Sequence, residues 1–240
     1  MKTLLVSGGE GGLAKQIINH NTKYKIFAPS KIEMNVSEYD SIDEYIRSCS
    51  PDIFLHSGAY TRPMQKHIDH PDISIKNNII GTSNVVLACI KYNIKLVYIS
   101  TDYVYPGISG PYREDDPVKP FTKYGWSKLG GECAVQLYDN SLILRACICD
   151  YPFPHSSAFT DVTKSMIYNT EVAKLILELL EEYGIVNVGG KAQTVHEFAK
   201  EINPSVGKIS INDLPSDSEI IKKDTSMSIN KMQDILTRKN

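Results

Sequence analysis

Lys2-Thr3-Leu4-Leu5-Val6-Ser7-Gly8-Gly9-Glu10-Gly11-Gly12-Leu13-Ala14 is the stretch that decides the fold. Leu4 to Val6 reads as a short buried strand, and the residues after the glycines read as a helix to about His20. Gly8, Gly11 and Ala14 stand three apart between the two. Small residues there let the backbone turn sharply, approach a pyrophosphate and pack the helix on the sheet, with the anion on the helix N-terminus.

Working outward, Tyr24 to Ala28, Ile53 to His56, Leu96 to Ile99 and Leu142 to Ala146 give four further apolar runs of strand length. Between them lie helical patterns: from Ser37 or Asp40 to about Ser48, from Ile73 to Tyr92, and from Tyr124 to Tyr138. Strand and helix alternate throughout. The fold class expected is α/β, a doubly wound parallel sheet of the Rossmann type; the resemblance described below adds a small C-terminal cap. Residues 1–146 are expected to form the dinucleotide domain and 147–240 a reduced substrate cap. Within the cap one helix and strand, about 168–188, return to the sheet. Thr194 and Glu197 read as a capping box, and Ile229 to Leu236 as a last short helix.

The second strand runs into Pro29-Ser30-Lys31, and no acid follows until Glu33. An NAD site carries an acid at this strand end for the ribose 2′-hydroxyl, whereas a hydroxyl and an ammonium suit a 2′-phosphate. NADP(H) is therefore favoured, with NAD(H) as the alternative.

The chain has 240 residues, 42% apolar and 22% charged, with a formal net charge of -2. This suits a soluble globular protein and gives no basic footprint for nucleic acid. No apolar run in the sequence predicts a membrane span, so no membrane is expected. Cys49, Cys89, Cys133, Cys147 and Cys149 are odd in number and form no CxxC. Reduced, buried thiols in the cytoplasm are the expectation. His67 and His70 flank Asp69 and precede Pro71 in a polar stretch, where surface histidines are expected and no metal site. His56 reads as a strand-end histidine satisfied by backbone, and Glu114-Asp115-Asp116 as a solvated edge.

Two further runs carry chemistry. Ser100-Thr101-Asp102-Tyr103-Val104-Tyr105 follows a strand, and Tyr124-Gly125-Trp126-Ser127-Lys128 opens a helix. A helix puts Tyr124 and Lys128 on one face. A tyrosine with a pKa of about 10 is a poor acid at neutral pH, and a neighbouring ammonium lowers that value. Thr101 is placed to hydrogen-bond a substrate oxygen.

Together these segments resemble the extended short-chain dehydrogenase/reductase family, and within it the dTDP-4-dehydrorhamnose reductases and their nucleotide-sugar relatives. The resemblance rests on the glycine-rich turn, on Ala59-Tyr60-Thr61, on Asn78-Ile79-Ile80-Gly81-Thr82, and on the two runs just quoted. It implies that Thr101, Tyr124 and Lys128 are catalytic, Tyr124 as general acid and Lys128 as the group that holds the nicotinamide ribose and tunes the phenol. It implies cofactor contacts from Gly8, Glu10, Gly11, Gly12, Leu13, Ser30, Lys31, Asn35, Val36, Ala59, Tyr60, Thr61, Tyr124 and Lys128. It implies substrate contacts from Thr101, Asp102 and Tyr103. The activity implied is reduction of a nucleotide-linked 4-keto-6-deoxy sugar, with a homodimer allowed. A nucleotide-sugar epimerase or dehydratase and a non-catalytic NADP-binding regulatory subunit are the alternatives. The residues after Arg145 lack the tryptophan and the helix usual in that family.

Overall fold

The computed structural model describes residues 1–214 and 221–239. Its centre is a parallel sheet of β1 Thr3–Ser7, β2 Lys25–Phe27, β3 Ile53–His56, β4 Lys95–Thr101, β5 Ser141–Ala146 and β6 Gly184–Val188. The spatial order is β6-β5-β4-β3-β1-β2, with every neighbouring pair parallel. β1 lies between β2 and β3, so the winding reverses there. That reversal opens a crevice at the carboxyl ends of β1 and β3.

The helices are α1 Gly12–His20, α2 Tyr39–Cys49, α3 Met64–Asp69, α4 Pro71–Tyr92, α5 Lys123–Val135, α6 Asn169–Leu179, α7 Val195–Lys200 and α8 Asn230–Lys239. Strand side chains alternate between faces, and the two layers follow from that alternation. Leu4, Val6, Leu55, Val97, Leu142 and Leu144 pack on one face with Ile17 of α1 and Val172 and Ile176 of α6. Leu5, Phe54, Leu96, Tyr98 and Ile143 pack on the other with Ile42 and Ile46 of α2 and Val85 and Cys89 of α4.

By length and composition α4 could cross a bilayer, with 22 residues and a mean hydropathy of 1.2. Here it lies on the sheet with Val85, Ala88 and Cys89 fully buried, as a core helix does. It is not uniformly α-helical as its periodicity predicts: Ile75–Ile80 widens into a π-helical turn, which carries Asn78 inward.

A buried ion pair fixes α5 to the sheet. Arg145 of β5 donates Nη2 to Glu132 Oε2 at 2.9 Å and Nη1 to Tyr105 Oη at 2.9 Å. Both charged side chains are almost wholly buried.

After β5 the chain builds its second region from very short strands. Ile148–Cys149 pairs with Ile167–Tyr168, Ser157–Phe159 with Gly207–Ile209, and Thr163–Lys164 with Gln193–Thr194. Two of these short strands, Ser157–Phe159 and Thr163–Lys164, lie within the proline-bearing stretch 150–165. Ala158, Val162, Val195, Ala199 and Val206 form a separate small core. Thr194 and Glu197 make the expected capping box on α7, and α6 with β6 returns to the main sheet. All five cysteines are free. Cys133 is exposed, against the expectation of buried thiols, because it lies on the outer side of α5.

Two surface expectations also fail. Glu114 is no solvated edge: its Oε1 accepts the Asn187 N–H of β6 at 2.9 Å. His67 is 1% exposed, because tertiary contacts rather than local polarity decide its burial; His70 stays exposed as expected.

Candidate active site

β1 ends in a turn built by close backbone approach. Gly8 has φ +72°, and a Cβ on it would sit 2.9 Å from the Gly58 Cα beyond β3. A Cβ on Gly9 would collide with the Ala28 carbonyl after β2. Three strand ends therefore meet at backbone distance. Above them α1 starts at Gly12 with no side-chain cap, so its first amides are open to an anion. Glu10, Gly11 and Gly12 are exposed and Leu13 is half-buried at this mouth. Asp150 Oδ1 and Asn169 Nδ2, from the second region, border the space over Gly12.

At the end of β2 the chain folds back. Glu33 accepts the Ser30 N–H through Oε2 at 2.7 Å, which draws its carboxyl below the usual range. The acid that the sequence places three residues too far thus returns to the strand end. Lys31 is exposed, with Nζ 3.4 Å from Asn77 Oδ1. Asn35 Nδ2 donates to Glu38 at 2.7 Å, and the Val36 carbonyl accepts from Asn84 Nδ2 at 3.1 Å.

Beyond β3, Ala59-Tyr60-Thr61 lies along the crevice. Asn78 clamps it: Oδ1 accepts the Tyr60 N–H at 2.7 Å, and Nδ2 donates to the Tyr60 carbonyl and to Ser127 Oγ, both at 2.9 Å. His56 is buried and kept neutral, its pKa pushed down to about 3 by burial. Its partners are hydroxyls, Ser7 Oγ at 2.7 Å and Thr82 Oγ1 at 3.1 Å, rather than the expected backbone. Thr82 donates to the Asn78 carbonyl, so it accepts from His56, and the proton on His56 sits on Nε2.

The expected chemical residues converge at the end of β4. Thr122 caps α5 by accepting the Gly125 N–H at 2.9 Å, which starts the helix one residue before Tyr124. The Tyr124 ring lies 5.3 Å from His67 and 6.1 Å from Tyr103, centroid to centroid. Burial pushes the phenol pKa well above its ordinary value, Asp102 adds to that push, and the facing Thr101 hydroxyl opposes it. The expected lowering by Lys128 is not what the structure shows. Lys128 Nζ sits over the Tyr98 ring, 4.0 Å from its centroid, and burial drives its own pKa down to about 7. With a pKa near 7, much of Lys128 is uncharged at neutral pH, so it does not supply the steady positive charge that the bare helical spacing suggests.

Asp102 also differs from expectation. It is buried, and its carboxylate is already taken by Lys164 Nζ at 2.7 Å and Thr225 Oγ1 at 2.8 Å. A direct sugar contact would have to displace one of them. Tyr103 is half-buried and turns its ring toward Lys164.

His67 is the residue sequence reasoning missed. Its ring stands between Tyr60, at 5.0 Å, and Tyr124. Nδ1 pairs with Ser74 Oγ at 2.7 Å, and Nε2 faces the Thr61 carbonyl without reaching hydrogen-bond geometry. The only available signal was a histidine six residues beyond the Ala59-Tyr60-Thr61 segment.

The arrangement offers a protonated phenol facing a hydroxyl, on the sheet edge that also carries a turn shaped for a dinucleotide. That is the equipment for giving or taking a proton at a carbinol oxygen.

Comparison with known proteins agrees with this geometry. The chain is 30% identical over 154 residues to a dTDP-4-dehydrorhamnose reductase of Aggregatibacter actinomycetemcomitans, covering 60% of this chain and 51% of that protein. It is 33% identical over 107 residues to methionine adenosyltransferase 2 subunit beta of Bos taurus, covering 45% of this chain and 32% of that protein. The chain spans about half the length, or less, of such curated relatives. A crystal structure of dTDP-4-dehydrorhamnose reductase from Bacillus anthracis, in complex with NADP, matches with a TM-score of 0.85 at 24% identity. The match covers 97% of this chain and 91% of that one, and it shows the shared Rossmann-type fold. Residues 1–149, well over half of the chain, match the family model described as the RmlD substrate binding domain, and the chain belongs to that family.

Proposed function

We propose that the protein is an NADP(H)-dependent reductase of the 4-keto group of a nucleotide-linked 4-keto-6-deoxy sugar. The observation that carries this reading is that Tyr124 faces the Thr101 hydroxyl at the end of β4, on the same edge of the sheet as the Gly8–Gly12 turn that ends β1. Relatives named dTDP-4-dehydrorhamnose reductase support the substrate class.

The turn from Gly8 to Leu13 would hold the pyrophosphate, Ser30 and Lys31 the 2′-phosphate, and Asn35 and Val36 the adenine side. Ala59, Tyr60, Thr61 and Lys128 would hold the nicotinamide half. When bound, NADPH supplies the hydride to the carbonyl carbon. Tyr124, held protonated by burial, hands its proton to the carbonyl oxygen and is left as phenolate. Water returns that proton. Thr101 holds the phenol hydroxyl through its lone pairs until the carbonyl takes the proton, and Tyr103 lines the sugar side. Free thiols throughout suit a reducing cytoplasm.

The test is to mix purified protein with NADPH and dTDP-linked 4-keto-6-deoxy sugar and follow the nicotinamide absorbance. Loss of absorbance is expected. A flat trace across dTDP-, UDP- and GDP-linked 4-keto sugars overturns the reading. Equal kcat/KM with NADH and NADPH overturns the cofactor preference. Tightly copurified nicotinamide with no net oxidation would instead mark an epimerase.

One observation favours a second reading, a regulatory subunit without turnover: Asp102 is sealed beneath Lys164, and methionine adenosyltransferase 2 subunit beta is among the relatives. A stoichiometric partner protein together with a flat trace would establish it.

A further inference from the structure

Lys164 reaches the end of β4 from the second region, where it sits in the short strand Thr163–Lys164. Its side chain is 11% exposed and that of Asp102 5%. Nζ donates to Asp102 Oδ2 at 2.7 Å and to Thr225 Oγ1 at 2.9 Å, and Thr225 Oγ1 donates to the same Oδ2 at 2.8 Å. The other carboxylate oxygen, Oδ1, takes the Thr101 hydroxyl at 3.1 Å. With its proton committed to Asp102, Thr101 has only lone pairs to offer the Tyr124 phenol. The chain of contacts runs from Lys164 through Asp102 to Thr101, whose hydroxyl faces the Tyr124 phenol.

A buried carboxylate beside a phenol opposes formation of the phenolate, and an ammonium on the far side of that carboxylate offsets it. We propose that Lys164 is a positioning residue for proton transfer by Tyr124: through Asp102 it fixes the Thr101 hydroxyl and offsets the carboxylate charge that faces the phenol. This rests on reading Tyr124 as the acid. The task that helical spacing gives to Lys128 passes to a lysine far along the sequence, on the cap.

The groups facing Tyr124 are Asp102 and Tyr103 after β4, Arg62 after the Tyr60 segment, Tyr98 within β4 and the His67 ring of α3. Those facing Lys164 are Asp102, Tyr103 and Cys147. Burial opposes the Lys164 charge, yet Asp102 and its neighbours hold the ammonium well above the ordinary lysine range, so it stays charged at working pH.

The experiment reads the Tyr124 ionisation directly. The ultraviolet tyrosinate band is titrated in each protein and subtracted from that of its Tyr124→Phe counterpart. Lys164→Met is expected to move this ionisation to higher pH by about one unit or more, and Asp102→Asn to lower pH. Lys164→Arg should stay near the parent. With substrate, Lys164→Met should cut kcat roughly 10²-fold while leaving the KM for NADPH nearly unchanged. An unmoved ionisation in folded Lys164→Met overturns the inference. Should that variant fail to fold, Asp102→Asn decides, and an unmoved or raised ionisation there overturns it equally. If the parent turns over no sugar, the titration still reads the Lys164 effect, so failure of the reductase reading is separable from failure of this one.

Discussion

The sheet with the helices on its two faces, and the short-stranded region built around Ile148–Cys149, Ser157–Phe159 and Thr163–Lys164, are held together by different physics. In the first region seven-residue β4 is buried along its whole length, and its neighbours pack on both faces of one sheet. Side-chain placement there follows from strand alternation, and the chemical groups sit where strands end. The second region has strands of two or three residues and a core of a few small side chains. It meets the sheet edge through Met227 packed with Val104, Tyr105 and Tyr112, and through polar contacts, Lys164 to Asp102 and Asp150 to Arg62. The hydrophobic layer makes the reaction surface rigid, whereas short directional bonds decide how that surface is covered. In this chain one of those bonds ends on the residue next to Thr101.

The sharpest way to break the comparison is to remove chemistry from the first region alone. Tyr124→Phe should lower kcat by roughly 10²- to 10⁴-fold and leave NADPH affinity nearly intact, measured by steady-state kinetics and fluorescence titration. Turnover that survives would move the acid elsewhere. The next largest effect tests whether packing alone fixes α5. Glu132→Ala leaves the Arg145 guanidinium buried without its carboxylate. It should cost about 3–5 kcal/mol in urea unfolding. A loss under about 1 kcal/mol, the range of a surface pair, would show that the helix needs no such anchor.

Lys128 sharpens the same contrast through pH. Its folded pKa, about 7, lies below the ordinary 10.5 because burial disfavours the ammonium. The unfolded chain therefore binds the proton more readily, and stability rises as pH climbs from about 7 to about 10.5. Lys128→Met should unfold at higher urea than the parent at pH 7, with the gap closing toward pH 10, while losing turnover. A gap that is constant with pH would mean Lys128 is charged and satisfied in the folded chain.

The same division explains what could be read from residues in order. The β1 turn, the parallel strands and the Tyr124–Lys128 spacing are local patterns, set by periods of two and 3.6 residues, and they stand where the sequence places them. The direction of Lys128 was not legible, because the Tyr98 ring that receives it arrives from another element. His67 and Lys164 were missed for the same reason: each is one polar residue among others until a distant segment buries it. Glu33 shows the short-range version, where a turn of three residues brings a carboxylate back to Ser30. Arg145 carried a usable signal, since a guanidinium inside an apolar strand demands a buried partner.

The smallest effect asks whether the two regions unfold as one. Thr194 caps α7 by accepting the Glu197 N–H at 3.1 Å, and the Glu197 side chain accepts the Thr194 N–H at 2.8 Å. Thr194→Ala removes the hydroxyl at a cost of about 1 kcal/mol. The site of the change is remote from the sheet core, because α7 packs on the small cluster of Ala158, Val162 and Val206. Yet Gln193–Thr194 also pairs with Thr163–Lys164, the strand that delivers Lys164 to Asp102. If polar ties make one cooperative unit, thermal unfolding stays a single transition and Tm falls by about 2–4 °C. If the regions are only loosely coupled, the low-temperature edge broadens, and loss of the Lys164 contact appears before the sheet melts. Recording the Tyr124 ionisation of Thr194→Ala across that range separates the outcomes. A phenol unmoved while the second region melts would mean that the hold of Lys164 on Asp102 does not reach Tyr124.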